Sequence, residues 1–534
     1  MSDYQRLRTP FLGMSFAPDI PSNALGINEY NNGSNVECDV RGIRKVSGEQ
    51  EILSAIPGNV VFMDGGFRSE TVWVYIAATR EGKWYMLTSG GITNITPGVG
   101  ANPSVALTGY SDDVNITTSW VGNVFFINDS LRNPMYFLPT NTEITITSDA
   151  QWNYTPGVNA TRAGFVRNFC SPNVGNIMIA GNLTEDLTSG TTVNYPTTVR
   201  WSQAFANTGV PGTWVPTLSN VANEQEVPVR GPIVDGFFLG GNFYVCSYWD
   251  TVVFSPIAYQ NSTTPVFGVR LFNQGRGLLH NNCWTNTDSS VYGVDSRDIW
   301  VFNGSDFAPL GNQKVRDYFF TNLNTLYSDR IYVLNNTQKN QVEIYYPDQT
   351  STGWCNKMLS WRYDLNLWNA PKDIANGAMA CEGPKFVSGA FKLASRTVVY
   401  GRGGISSSRL VQTGVGNSFI NSQPIPALFE RNNVVLQSDK GPVPYSSKVY
   451  IHRLLPEIAG TGVVNITVGG ANSTAQAATY GQTGIVSIVT DNPWVTTQQN
   501  SFRTTSIKVS SNDSTDTWNI TALNWQASIT EDAF

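Results

Sequence analysis

Residues 283–312 read CWTNTDSSVYGVDSRDIWVFNGSDFAPLGN, residues 329–348 read DRIYVLNNTQKNQVEIYYPD, and residues 357–374 read KMLSWRYDLNLWNAPKDI. Each stretch sets short runs of β-branched and aromatic residues on either side of polar turn residues, the pattern of antiparallel hairpins. Val291–Val294 and Ile299–Phe302 flank Asp295-Ser296-Arg297-Asp298 and lead into Asn303-Gly304. Residues 331–334 and Gln341–Tyr346 repeat the pattern, and Trp361-Arg362-Tyr363 meets Leu367-Trp368 across the tighter turn Asp364-Leu365-Asn366. One small twisted meander cannot bury both of its faces and must stack on the next, so meanders in series predict propeller blades. Between the first two stretches, Val315, Tyr318 and Phe319 fall at i, i+3 and i+4, the clearest helical turn in the chain.

The whole composition agrees with that reading. A chain of 534 residues is too long for one ordinary core, which predicts two or three domains. Only 14% of residues are charged, whereas Gly (48) and Pro (27) are spread throughout, as in a turn-rich, all-β protein. The net charge of −6 and the scattered Lys and Arg exclude a basic nucleic-acid footprint; DNA would be weakly repelled. No run of apolar residues reaches membrane-spanning length and residues 1–20 lack the pattern of a secretory leader, so a soluble protein made in the cytoplasm is expected, with no membrane segment. Cys38, Cys170, Cys246, Cys283, Cys355 and Cys381 are too scattered for a disulfide framework and are expected as buried thiols. Asn-X-Ser/Thr triplets at Asn115, Asn182, Asn465 and Asn519 follow from an Asn/Thr-rich composition.

Taken in order, residues 1–54 form an N-terminal strand segment expected to pack on a platform or propeller. Residues 55–415 hold roughly six or seven meanders, an irregular β-propeller, with a pair of β-sandwiches as the fallback. Within them, residues 140–235 are less regular and predict a blade carrying a long excursion, a candidate contact surface or channel tip. Residues 416–534 alternate apolar and polar positions in five short runs after a Pro-rich link, which predicts a C-terminal β-sandwich serving as platform or docking module.

Little in the chain points to catalysis. The only histidines, His280 and His452, are remote from one another in sequence and are read as structural. Gly401-Arg402-Gly403-Gly404 is read as a turn because no helix-forming run follows it. Asp112-Asp113 and the pair Glu224 and Glu226 are read as solvated loop acids without regular cation-ligand spacing. Residues 511–518, SNDSTDTW, resemble the Asp-box turn S-x-D-x-G-x-T-W of sialidase-type propellers but carry Thr515 where the box has Gly. Such boxes are structural turns, so a sialidase-like glycosidase is the weakest alternative. No catalytic, cofactor-binding or metal-binding residue is assigned and no cofactor is expected; the chain is read as a non-enzyme.

Three phrases carry a family resemblance: GINEYNNGSNVECDVRGIRKVSGEQ (26–50), VYGVDSRDIWVFNGSDFAPLGNQKVRDYFF (291–320) and YIHRLLPEIAGTGVVNITVGG (450–470). The central one is the most specific. It runs from Asp295 to Gly304 as D-x-x-x-I-W-x-F-N-G, passes through Pro309-Leu310-Gly311, and enters a helix at Lys314-Val315-Arg316-Asp317 closed by Phe319-Phe320. Together they resemble the nozzle proteins, or tail tubular protein B, of short-tailed bacteriophages (podoviruses). That resemblance implies a structural virion protein: a homohexameric ring at the distal end of the viral tail, built on a propeller, docked to an adaptor ring of the tail tubular A type and surrounded by tail fibres. It further implies retention of the packaged genome and a channel for genome ejection, with DNA translocated and not specifically bound. The family offers no catalytic residues to carry over. The competing reading is a carbohydrate- or receptor-binding propeller using Trp300, Trp361 and Trp368 as platforms for sugar rings.

Overall fold

The computed structural model describes residues 5–97, 109–110, 115–152, 160–187, 189–257, 266–311, 313–402, 407–434, 436–438, 441–473, 476–488, 494–496 and 501–531. Among these the chain is nearly all β. Five four-stranded antiparallel sheets follow one another in simple sequence order, blades 1 to 5, running from Val60–Ser69 to Gly91–Asn94, Thr117–Val121 to Thr145–Ile146, Ala160–Ser171 to Asn223–Glu226, Ile233–Leu239 to Phe267–Gln274, and Trp284–Asn286 to Phe307–Pro309. A seven-stranded sheet supplies two more blades through the strand Leu367–Val387. Its first part pairs with Cys355–Arg362 as the last strand of blade 6, and its second part pairs with Ala390–Arg402 as the first strand of blade 7. Blade 7 is completed by Glu49–Pro57, which pairs antiparallel with Ser407–Thr413. A strand from the start of the chain thus closes the propeller, which has seven blades.

The hairpins form where the sequence places large rings opposite glycines. Gly293 pairs with Trp300 across blade 5, and a Cβ on Gly293 would lie 2.2 Å from the indole. The ring therefore fills the volume that any other side chain would need, and it is fully buried, its Nε1 donating to the Gly277 carbonyl at 3.2 Å. The same device recurs at Gly236, where a Cβ would meet Phe243 at 2.6 Å. The turn after Val294 is fixed by Asp295, whose Oδ1 accepts from the N–H groups of Arg297 and Asp298, both at 2.7 Å. Arg276 then pairs with Asp295 and Asp298 at 3.0 and 3.2 Å.

The stretch 140–235 contains blade 3, whose first two strands, Ala160–Ser171 and Gly175–Asp186, run 12 residues each. Residues 202–222 connect its third strand to the exposed edge strand Asn223–Glu226.

The C-terminal module is a two-sheet sandwich, but it is not made by residues 416–534 alone. Its first sheet centres on the antiparallel pair Ser447–Thr461 and Thr517–Glu531 and is extended by Gln5–Pro10, Gly42–Lys45 and Val36–Asp39. Its second sheet is ordered Thr479–Ser487, Val463–Ala471, Thr504–Ser511, Ala427–Val434 and Asn32–Ser34. Ile451, Leu454, Leu523 and Trp525 belong to one buried core with Val464, Ile466, Ile507 and Val509. Residues 5–57 therefore complete both bodies, adding strands to each sandwich sheet and the closing strand to the propeller.

Gly293→Ala should destabilise the fold by about 1–3 kcal/mol through overpacking against Trp300, read as a lower denaturant midpoint in equilibrium unfolding. An unchanged midpoint would mean that the ring does not occupy that space.

Candidate functional site

The first strands of successive blades approach one another at the propeller centre, and their polar side chains meet there. Thr118 of blade 2 donates to Asp64 of blade 1 at 2.6 Å. Arg167 of blade 3 donates to the Thr118 carbonyl at 2.9 Å and grips Asp235 of blade 4 through two bonds of 2.9 and 2.6 Å. The same guanidinium donates to Asn282 at 2.8 Å and lies 5.3 Å from the centre of the Trp284 ring. Asp235 is fully buried and also accepts from Trp284 Nε1 at 2.9 Å and the Asn282 N–H at 3.1 Å. A buried ion pair is stable only when its remaining donors and acceptors are satisfied, and here groups from blades 2 and 5 join the pair's own blades 3 and 4 in satisfying them. Burial pushes the Asp64 carboxyl up, with Thr118 and the Gly65 N–H working against that shift. The propeller axis is therefore crossed by side chains and does not form an open passage at this level. Beside it a cavity of about 80 Å³ opens between residues such as His280, Asn281, Asp329, Trp354 and Met379.

A second convergence lies where the propeller meets the sandwich. The helix α1, Arg316–Asn322, belongs to the central phrase, and its first N–H groups are bonded by a residue from the opposite end of the chain: Asp19 accepts from Asp317 at 2.8 Å and Tyr318 at 2.7 Å. Phe16 packs edge-on against Tyr318 at 5.3 Å, and Lys314 pairs with Glu29 at 3.0 Å. Phrase 26–50 then holds both bodies. Toward the propeller, Asn35 bonds Asp373 in both directions at 2.7 Å, the Cys38 N–H donates to Asn369 at 2.8 Å, and Glu37 pairs with Lys339. Toward the sandwich, Lys45 is buried against Asp516 and donates to the Asp513 carbonyl at 2.9 Å. Phrase 450–470 supplies two neighbouring strands of that sandwich, one in each sheet. Phrases 26–50 and 291–320, far apart in sequence, thus meet in one joint, and phrase 450–470 belongs to the sandwich that this joint holds. Although burial alone would raise it, Glu37 is held down to about 2 by Lys339 and Arg44.

The residues weighed from sequence occupy structural positions. His280 lines the cavity at the axis, where burial lowers its pKa against the opposing pull of Asp329 and Asp235. His452 sits in the sandwich, its Nε2 at 2.7 Å from Ser528 Oγ and its ring against Tyr450. Residues 511–518 form a turn in which Asp513 accepts from the Thr515 N–H and hydroxyl at 2.9 and 2.8 Å, while Trp518 Nε1 donates to Ser511 at 2.9 Å. Glu224 is paired with Arg200 at 2.8 Å, and Glu226 accepts from Thr197 at 3.1 Å, so both acids are engaged by neighbouring side chains and not merely solvated. Trp300, Trp361 and Trp368 are buried in the core and present no platform. Five cysteines are buried free thiols, with burial pushing Cys38 and Cys246 up to about 12; Cys170 is exposed, contrary to expectation, because it lies on an outward face near the end of its strand. Asp112-Asp113 and Gly403-Gly404 lie outside the described residues. Among the described residues no group of three or more His, Cys, Asp or Glu could hold a metal ion, and no helix is long and apolar enough to cross a membrane.

Arg167 and Asp235 were missed from sequence. The available signal was a single charge set within each of two apolar runs, GFVRNFC and PIVDGFF.

No family model matches the chain, and no curated protein matches it. Among solved structures it is similar to the WD40 β-propeller domain of Doa1, at 10% identity and a TM-score of 0.32, covering 68% of this chain and 97% of that one. The propeller assignment stands on the sheet order and the closing strand described above.

Breaking the axial pair with Arg167→Met should cost about 3–5 kcal/mol, because it leaves Asp235 buried and uncompensated. The double substitution with Asp235→Leu should cost less than the sum of the two single changes, measured by a double-mutant cycle in urea. Glu37 has a folded pKa below its unfolded value, so its contribution of about 3 kcal/mol is present above pH ~4.5 and is lost as pH falls toward about 2. Acid titration of Glu37→Gln should accordingly show a shallower loss of stability across that window than the parent protein.

Proposed function

We propose that this protein is a structural subunit of a short phage tail, the nozzle: a homohexameric ring at the distal tip that retains the genome and provides the path for its ejection. The observation that carries this reading is the joint. The three phrases that resemble nozzle proteins lie far apart in the chain, yet phrase 26–50 bonds to the propeller and to phrase 450–470's sandwich, while the helix of phrase 291–320 docks on residues 16–29. Residues that specify such a propeller–platform weld are what a ring protomer needs in order to transmit load between neighbours without hinging.

The crossed axis supports the same reading. Because Arg167, Asp235 and Trp284 meet at the propeller centre, a nucleic-acid path would lie between copies and not through a single one. A net charge of −6 on each copy suits a passage along which DNA slides without adhering. Docking to an adaptor ring and to tail fibres belongs to this proposal, as does location in the virion after synthesis in the host cytoplasm. The alternative of sugar platforms on the blades is weakened by the burial of Trp300, Trp361 and Trp368.

Electron microscopy of intact particles labelled with a gold-conjugated antibody against this chain tests the proposal. Label at the distal tip of a short tail is expected; label on lateral fibres, or on no particle, would overturn it.

A further inference from the structure

On the sandwich, strand Ala427–Val434 breaks register with Thr504–Ser511 between Arg431 and Val434, and Asn433 takes a left-handed φ of 56°. A bulge of this kind re-aims side chains, and a non-glycine residue in that region is unfavourable unless the surroundings hold it there. Here they do: the Asn432 N–H donates to Asn31 Oδ1 at 3.2 Å, Asn433 Nδ2 donates to the Ser22 carbonyl at 3.2 Å, and the Tyr480 hydroxyl, which donates to Glu430, lies 3.2 Å from the Asn432 carboxamide. Asn432 and Asn433 thereby line a groove of about 260 Å³ together with Asn31, Gln476, Ser506 and a wall that includes Pro18 and Pro21.

The composition of this groove is selective. None of its lining residues is ionisable, and residues 458–490 beside it contain no charged residue at all. The nearby Glu430 carboxylate is already engaged by Asn32 at 2.9 Å and Tyr480 at 2.7 Å. A charged ligand entering here would shed water with no ion to replace it, and an apolar one would strand the amides. A neutral polyol does neither. Carboxamides present a donor and an acceptor in one plane, which suits adjacent ring hydroxyls, while the proline wall can take the C–H face of a sugar. Among the described residues no protein partner engages the Gln476 amide or Asn433 Oδ1. Tyr445, 47% exposed, adds an aromatic surface next door, its hydroxyl donating to the Asn472 carbonyl at 3.4 Å.

We propose that this groove is a binding site for a neutral saccharide. One wall of the groove comes from residues 18–31, the segment that also docks on the helix Arg316–Asn322, but the proposal does not depend on the nozzle reading. Binding is tested with the full chain on an array of neutral glucose, galactose, mannose and N-acetylglucosamine oligomers, with sialylated glycans and an uncharged peptide as comparators, followed by titration calorimetry of the best hit. Two variants localise the site. Asn433→Gly keeps a residue at ease at positive φ while removing the side chain, and Gln476→Ala removes an exposed amide. A neutral oligosaccharide should bind, and each variant should weaken it by about tenfold with an unchanged melting temperature. Absence of binding to any neutral glycan at millimolar concentration, preference for the sialylated glycans or the peptide, or affinity untouched by both variants would overturn the proposal.

Discussion

The Arg167–Asp235 pair is the constraint on which the propeller centre rests. Small twisted sheets packed around an axis bring their first strands together, and those strands carry backbone and side-chain polar groups that must be satisfied out of bulk water. This chain places one guanidinium at that point and lets it bridge neighbouring blades, with Asn282 and Trp284 completing the shell around Asp235. A planar fork with several donors suits the task better than an ammonium would, since it holds both Asp235 oxygens while also reaching the Thr118 carbonyl and Asn282. The result is a centre locked by directional bonds, surrounded by cores of mixed aliphatic and aromatic side chains.

A second constraint comes from chain order. Glu49–Pro57 closes blade 7, Gln5–Pro10 pairs with Thr517–Glu531, and Lys45 is buried against Asp516. These partners lie hundreds of residues from the first fifty, so closure of both bodies is long-range, a topology that slows folding. Once made, the same closure removes the freedom of the two bodies to rotate independently, because both depend on one segment. In the proposed nozzle, that rigidity is what would let one copy pass load to the next.

The hairpins of residues 283–374 were legible because their turns are written in local chemistry: Asp295 bonds the backbone two and three residues on, and Gly293 leaves room for Trp300. The helical turn at residues 314–320 was equally legible from its spacing, although nothing local announced that Asp19 would cap it. The strands of residues 29–45 were harder to place. Asn32–Ser34 and Gly42–Lys45 are too short for a period to register, and although Gly42–Lys45 forms a local hairpin with Val36–Asp39, the strands that join each of them to the sandwich lie hundreds of residues away, so that pairing was decided by tertiary closure and not by propensity. Arg167, Asp235 and the Asn432-Asn433 bulge escaped for a related reason: each is an ordinary polar residue until several strands converge on it.

In the proposed ring, a propeller centre occupied by Arg167, Asp235 and Trp284 would put any passage between copies. A cryo-electron microscopy reconstruction of tail assemblies containing this protein tests it most directly. The account predicts a closed ring whose channel runs along the ring symmetry axis, with continuous density from Arg167, Asp235 and Trp284 filling every propeller centre. Propeller axes that are open or threaded by nucleic acid, or copies that remain single with no ring, would contradict it.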